Sequence, residues 1–321
     1  MIVVPESEIA GLIDRQQSFE AVEAVFAAMA AGDAYNFPVI REAIGHADAL
    51  YGFKSGFDRK SLALGLKSGG YWPGNEKRGL TNHQSTVVLF DADTGQVRAL
   101  VGGNLLTALR TAAASAVSIR HLAPKGAKVL GMIGAGHQSA FQMRAAAEQC
   151  AFERVIGWNY HPEMISRLEE TAAEIGLPFE HVSLERLGAE ADVIISITSA
   201  FAPSLLDAHV SGPTHIACMG TDTKGKQELE AALVARARVF TDEIAQAVSI
   251  GECQHAIADG SLKEGDITEI GAVINGAHPG RSDSDELTLF DGTGVGLQDL
   301  AVASRAVELA IEKGVAIEVD F

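Results

Sequence analysis

Residues Ala127-Lys128-Val129-Leu130-Gly131-Met132-Ile133-Gly134-Ala135-Gly136-His137-Gln138-Ser139 carry an apolar run of strand length into a two-glycine turn, and Ala140-Phe141-Gln142-Met143-Arg144-Ala145-Ala146-Ala147 continue with a helical pattern. No other stretch constrains the fold as much. A strand that enters a glycine turn and leaves as a helix presents bare backbone N–H groups at a positive helix end, and the glycines permit both the tight turn and the close approach of a pyrophosphate. The stretch predicts the first turn of a Rossmann domain, with Gly134, Ala135, Gly136, His137 and Gln138 against the dinucleotide. Ser139 holds the third fingerprint position in place of Gly or Ala, and its small side chain still allows close helix–strand packing. A Gly-x-Gly alone is a weak signature, so the reading depends on what surrounds it.

Beyond this turn the chain alternates strand and helix patterns, as a parallel sheet requires. Arg154-Val155-Ile156-Gly157-Trp158 reads as the second strand and Pro162 to Ala173 as its helix; Asp192 to Thr198 and His215 to Met219 are further apolar runs. Glu286 to Phe290 and the turn Asp291 to Gly294 lead into a closing helix from Leu297 to Lys313. Ligands of open α/β sheets collect outside the C-terminal strand ends. Thr198, Ser199, Met219, Gly220, Thr221, Asp222 and Gly294 fall there and become site candidates. For Asp222 the plain alternative is the N-cap of a helix from Lys226 to Ala235. The acidic residue that commonly holds the adenine ribose is expected about 20 residues past the turn. Asn159 occupies that place (159 − 136 = 23), followed by Tyr160 and His161. Asparagine can bond a ribose hydroxyl without repelling a 2′-phosphate, and no Arg or Lys stands beside it, so NAD is favoured and NADP stays open.

The N-terminal third does not look like a nucleotide domain. Phe19, Val22, Val25, Phe26 and Met29 sit at helical spacing between Ser18 and Ala31. A Gly- and aromatic-rich region with β character follows, in which Arg41 and Lys67 each end a strand-like run; then Ser85 to Phe90, the turn Asp91 to Gly95, and Gln96 to Val101 form a hairpin. Thr107 to Leu122 reads as a helix of mostly small residues with Arg110 in its first turn. A long Arg on a helix packed through alanines reaches for something specific, unless it is simply solvated.

With 321 residues, 47% of them hydrophobic and 21% charged, the chain can bury a large core and would divide into two domains. The start, Met1-Ile2-Val3-Val4-Pro5-Glu6-Ser7-Glu8, does not read as a signal peptide, and no apolar run reaches membrane-spanning length, so a cytoplasmic location is expected. Cys150, Cys218 and Cys253 are too scattered for a disulfide framework or a zinc site, and no metal is expected. A net charge of −17 argues against nucleic acid or an anionic membrane as partner. An anionic ligand would have to be held by local cations.

Lys67, Arg110-Thr111-Ala112-Ala113, Gly134-Ala135-Gly136 and Gly220-Thr221-Asp222, in this order and at these separations, resemble the ornithine cyclodeaminase/μ-crystallin family over nearly the whole chain. The resemblance implies an α/β protein in which a Rossmann NAD-binding domain, 121–301, is inserted in an α+β substrate-binding and dimerisation domain, 1–120 plus 302–321, and it implies a homodimer. Members handle imines, ketimines or α-amino acids with a nicotinamide cofactor. They include cyclodeaminases, alanine dehydrogenases, ketimine reductases and iminosuccinate reductase. Tyr35-Asn36-Phe37-Pro38-Val39-Ile40-Arg41-Glu42-Ala43 and Gly69-Gly70-Tyr71-Trp72-Pro73-Gly74-Asn75 look most like the iminosuccinate reductases, which form L-aspartate.

The chemistry so implied is reduction of a small anionic imino acid by NADH. An imino acid accepts hydride well once its nitrogen is protonated, so the protein has to bind the carboxylate, keep the iminium and present one face to the nicotinamide. By similarity, Arg41 would clamp the carboxylate. Lys67 would sit beside the nitrogen as proton donor or acceptor. Arg110, next to Thr111, would contact substrate carboxylate or cofactor phosphate, and Asp222 would stabilise the iminium or take part in proton transfer. Iminosuccinate brings a second carboxylate, for which Lys77, Arg78 and His83 are the nearest candidates in sequence; a solvated basic turn is the plain alternative for the first two. Alanine dehydrogenase or ketimine reductase activity is the neighbouring possibility. Readings from other classes are an ammonia-releasing cyclodeaminase, which needs an acidic group for a distal amine, and a binding protein without important turnover. Retention of Lys67, Arg110 and Asp222 together argues against the latter.

Overall fold

The apolar runs behind the glycine turn form, in a computed structural model describing residues 1–282 and 286–321, an eight-stranded sheet whose neighbours are all parallel. Its order is Phe179–His181, Arg154–Trp158, Val129–Ile133, Val193–Ser196, His215–Cys218, Thr288–Asp291, Arg238–Thr241, Thr268–Glu269. The central strands are buried on both faces, which is why they read as unbroken apolar runs rather than alternating ones. From Val129–Ile133 the chain builds outward first to one side and then to the other. That reversal is a topological switch point, where a doubly wound sheet opens its ligand crevice, and the glycine turn stands at it. The sheet is of Rossmann type and belongs to a compact unit comprising Thr111–Gly294.

One element of this unit departs from expectation. Gln227–Leu229 is a short strand paired with Phe201–Leu205, and the following helix, Ala231–Arg236, starts only after Glu230. Asp222 is therefore not that helix's N-cap.

The other compact unit comprises Met1–Arg110 and Val295–Phe321. The breaks fall inside the helix Asn104–Leu122 and just ahead of the helix Gly296–Glu312, where the sequence had suggested 120 and 302. Its sheet runs Ile317–Glu318, Ile2–Val4, Val97–Gly102, His83–Phe90, Ala63–Tyr71, Leu50–Asp58, Ala34–Asn36, with Ile40–Ala43 also paired to Leu50–Asp58. The expected hairpin is present, its turn closed by Asp91, whose Oδ1 accepts from Thr94 N at 2.8 Å and Thr94 Oγ1 at 2.7 Å. The helix Gly296–Glu312 packs on this sheet beside Arg15–Ala30, a helix started by the Asp14/Gln17 capping box. Gly65 lets the helix come close: a Cβ there would lie 3.0 Å from Leu300 Cδ2. That approach brings the first turn of the closing helix down onto the strand carrying Lys67.

Candidate active site

Lys67 lies in the middle of the strand Ala63–Tyr71, not at its end, and is buried. A lysine there needs a counter-charge. Asp299, fully buried in the first turn of Gly296–Glu312, supplies it, with Oδ1 and Oδ2 at 3.0 and 2.8 Å from Lys67 Nζ. Asp299 Oδ1 also accepts from Arg110 Nε at 3.0 Å, and Gln298 Oε1 from Arg110 Nη1 at 3.0 Å. Arg110 is thus a buried residue of the second turn of its helix, fixed in orientation rather than solvated. Burial and the neighbouring Arg110 bring the Lys67 ammonium down to about 7, with Asp299 opposing. Burial alone would raise the Asp299 carboxyl, but Arg110 and Lys67 hold it below its ordinary value.

Strand register gathers further groups. Arg41 pairs with Gly52, Gly52 with Gly69, Lys54 with Lys67, and Tyr71 with His83. Residues opposite each other, or two apart along a strand, share a face. Arg41, Lys54, Lys67 and His83 therefore project to the side that carries the closing helix. His83 is not a cation: burial, with Lys67 and Arg110 near it, lowers its pKa to about 4. Lys77 and Arg78 lie on the exposed turn Glu76–Arg78 and do not join this group. Lys54, which sequence reasoning missed, does join it, and its charge acts on both Lys67 and Asp299.

In the Rossmann unit the glycine turn fits a dinucleotide. Gly134 is demanded by the fold itself, with φ +106 and a hypothetical Cβ 2.5 Å from Ile197 O. Gly136 is not: a Cβ there meets no other described atom within 4 Å, so the space before it is free for a pyrophosphate. Ser139 opens the helix Ser139–Ala147 and bonds Gly136 O through Oγ at 2.7 Å, which suits its fingerprint position. Asn159 Oδ1 accepts from Ala135 N at 3.0 Å and its Nδ2 donates to His161 O at 2.8 Å, so Asn159 straps the turn to the end of the second strand. His137, Tyr160 and His161 are exposed around it and Gln138 is half-buried.

At the neighbouring strand ends, buried carboxylates that no sequence motif marks hold the backbone. Glu228 accepts from Ser196 Oγ at 2.7 Å, Thr198 N at 2.7 Å, Thr198 Oγ1 at 2.9 Å and Gly220 N at 2.8 Å. Glu252 accepts from Leu229 N at 2.7 Å, Glu228 N at 2.9 Å and the Thr221 hydroxyl. Burial raises both carboxyls, Glu252 to about 8 with Glu228's charge adding to it, while the donors aimed at each work in the opposite direction. Asp242 likewise takes Thr293 N at 3.1 Å and Gly294 N at 2.8 Å. Thr198 and Thr221 thus turn their hydroxyls into the protein; Ser199 is exposed and Met219 buried beside them. Asp222, half-buried, accepts from Lys226 Nζ at 2.9 Å. Thr111 is buried in its helix. Among the described residues no His/Cys/Asp/Glu cluster is arranged for a metal ion, and no helix is long and apolar enough to cross a membrane.

A profile of the ornithine cyclodeaminase/mu-crystallin family matches residues 2–314. The iminosuccinate reductase of Paracoccus denitrificans (strain Pd 1222) is 73% identical over 320 residues, covering 100% of both chains. Its crystal structure in complex with NAD+ matches with a TM-score of 0.97 over 100% of this chain and 99% of that one. The Δ1-pyrroline-2-carboxylate reductase of Thermococcus litoralis, in complex with NADH and L-proline, is 28% identical with a TM-score of 0.93, covering 99% and 100% of the two chains. An archaeal alanine dehydrogenase dimer with bound NAD is also 28% identical with a TM-score of 0.93, covering 100% and 99%. The chain belongs to the ornithine cyclodeaminase/mu-crystallin family.

Proposed function

We propose that this protein is an oxidoreductase that reduces an imino acid with NADH, and that the imino acid is iminosuccinate, giving L-aspartate. The observation that carries the reading is the buried Lys67–Asp299–Arg110 constellation, in which a lysine at about 7 can give or take a proton near neutrality. The 73% identity to an iminosuccinate reductase along the whole chain supports the choice of substrate, and the NAD+ complex of that relative supports NAD.

Bound at the glycine turn, the nicotinamide cofactor supplies the hydride. Gly134, Ala135, Gly136, His137, Gln138, Asn159, Tyr160, His161, Thr198, Ser199, Met219, Gly220, Thr221 and Gly294, with Arg110 and Thr111, are proposed to hold the cofactor. Arg41 engages a substrate carboxylate through its planar fork. Arg110, with Nε on Asp299 and Nη1 on Gln298, is pre-oriented to meet an anion. Lys67 delivers a proton to the imine nitrogen in reduction and removes one from the ammonium in the reverse direction. His83, neutral, contributes hydrogen bonding rather than charge. Asp222 is proposed to take part in proton handling. A cyclodeaminase fits less well, because the group opposite Lys67 on its sheet is Lys54, a cation where a distal ammonium would need a carboxylate.

A homodimer and a cytoplasmic location belong to the same proposal. Tyr35, Ile40 and Phe53 are exposed at 45, 51 and 37%, on the sheet face turned away from the closing helix, and such a face calls for a partner. The cysteines are free thiols, as a reducing compartment keeps them. The deciding experiment follows nicotinamide absorbance with oxaloacetate plus ammonia and NADH, and with L-aspartate and NAD+. Net oxidation of NADH is expected; ammonia release from ornithine without net redox change would refute the proposal.

A further inference from the structure

We infer that Lys226 is a positioning residue for the reductase: its ammonium holds the Asp222 carboxylate in the orientation in which Asp222 handles the substrate's proton. The inference deepens the role proposed for Asp222 and rests on it. The segment that follows the strand His215–Cys218 stands at a C-terminal strand end, where an open α/β sheet collects its ligands. Within that segment Lys226 N donates to Thr223 O at 3.2 Å, closing a turn whose third residue, Gly225, has φ +87. A left-handed φ at that place marks a type II turn, and glycine takes it without strain. The turn leaves Lys224 exposed and folds Lys226, half-buried, back over the residues it has just left.

Folded back, Lys226 Nζ donates to Asp222 Oδ1 at 2.9 Å and to Gly220 O at 3.1 Å, while Thr223 Oγ1 donates to Asp222 Oδ1 at 3.1 Å. One ammonium thus joins the Asp222 side chain to backbone two residues earlier. The pair is not the four-apart ion pair of a helix surface, because no helix includes either residue. Its side chains are exposed at only 18 and 30%, so less water competes for the contact than at a surface pair. Other bonds fix the backbone on which the lysine stands. Gly220 N donates to Glu228 Oε2 at 2.8 Å and Gly225 N to Gln254 Oε1 at 2.8 Å, and Lys226 O accepts from Gln254 Nε2 at 3.3 Å and His255 Nε2 at 3.0 Å. Removing the ammonium therefore leaves the frame standing and loosens the carboxylate. A reacting group displaced by about 1 Å can cost on the order of a hundredfold in rate.

The test uses the full-length enzyme and the variants Lys226→Met, Asp222→Asn and the two combined. NADH affinity is titrated by fluorescence, kcat and KM are measured for L-aspartate oxidation by NAD+, and crystal structures of the parent and Lys226→Met are determined with NAD+. Lys226→Met should bind NADH within about threefold of the parent and lose about ten- to a hundredfold in kcat with KM little changed. In the Asp222→Asn background the same substitution should cost no more than about twofold, because residues that act as a unit are not additive. The crystal structure of Lys226→Met should show the backbone of 220–228 in place and the Asp222 carboxylate displaced. A kcat loss as large in the Asp222→Asn background as in the parent, or an NADH affinity that falls along with kcat, overturns the assignment. Parental kcat in Lys226→Met beside a slow Asp222→Asn overturns it and leaves the Asp222 reading intact; parental kcat in Asp222→Asn overturns both. Should the parent not oxidise L-aspartate, the reductase reading fails and the crystal structures decide: an unmoved carboxylate in Lys226→Met overturns the positioning role, and a displaced one upholds it.

Discussion

Asp299 and Lys67 form an ion pair with Nζ 3.0 and 2.8 Å from the two carboxylate oxygens, joining the closing helix to the middle of a strand. Lys67 stands at about 7 because burial and Arg110 lower it while Asp299 pulls it up. Oxidation of L-aspartate by NAD+ uses the neutral amine, so its rate should rise as pH passes 7. Asp299→Asn withdraws the upward influence, so the midpoint of this profile should move to lower pH, with kcat down ten- to a hundredfold from the misplaced amine. A midpoint that stays near 7 in Asp299→Asn would show that Asp299 does not tune Lys67.

Lys67→Met and Asp222→Asn should each leave a folded protein that binds NADH and turns over about a hundredfold or more slowly, the range for a positioned acid or base. If both serve one proton-transfer step, the double variant should be scarcely worse than either single one. Additive losses, read from steady-state kcat, would separate their roles.

Glu228 collects donors from Ser196, Thr198 and Gly220, which fixes the backbone at two strand ends together. Glu228→Gln replaces one acceptor by a donor, leaving a buried N–H facing another, at a cost of about 1–3 kcal/mol. The expected result is a lower urea midpoint and about tenfold weaker NADH binding by fluorescence titration. Weakened stability with unaltered NADH affinity would mean that these strand ends do not hold the cofactor.

The two glycines of the turn should separate fold from ligand. Gly136→Val, with open space at its Cβ, should keep its melting temperature and lose NADH binding; Gly134→Ala meets Ile197 O and a left-handed φ, costing about 1–3 kcal/mol from the backbone alone. Undiminished NADH binding in Gly136→Val would remove the pyrophosphate from this turn.

The Rossmann unit was legible because strands buried on both faces write themselves as continuous apolar runs, and the expected runs coincide with Val129–Ile133, Arg154–Trp158, Val193–Ser196 and His215–Cys218 to within a few residues. The substrate side was legible only in part. Lys67 looked like a strand end because Ser68-Gly69-Gly70 follow it, yet those residues remain in the strand. Asp299 lies outside the four motifs that carry the family resemblance. Its signal was available: with Ala303, Ala306 and Ala310 it falls on one buried stripe of the closing helix, where a charge demands a partner. Glu228 was hidden by reading its short strand as the start of a helix. Lys54 had no local signal at all, since its relation to Lys67 exists only through strand register, which depends on pairings distant in sequence.

Asn159 both straps the glycine turn and stands where the adenine ribose is expected, and two substitutions can separate these functions. An aspartate can still accept from Ala135 N but loses the donor to His161 O, so Asn159→Asp should keep the contact to the glycine turn, loosen the tie to residue 161, and add a charge that repels a 2′-phosphate. NADH binding should then change only a few-fold and NADPH binding should weaken at least tenfold. Asn159→Leu removes the acceptor and leaves the Ala135 N–H without its partner, so both cofactors should weaken together, by about tenfold. Fluorescence titrations of the two reduced cofactors against both variants check this. Equal losses for NADH and NADPH in Asn159→Asp would show that residue 159 acts on the turn alone and that the ribose lies elsewhere.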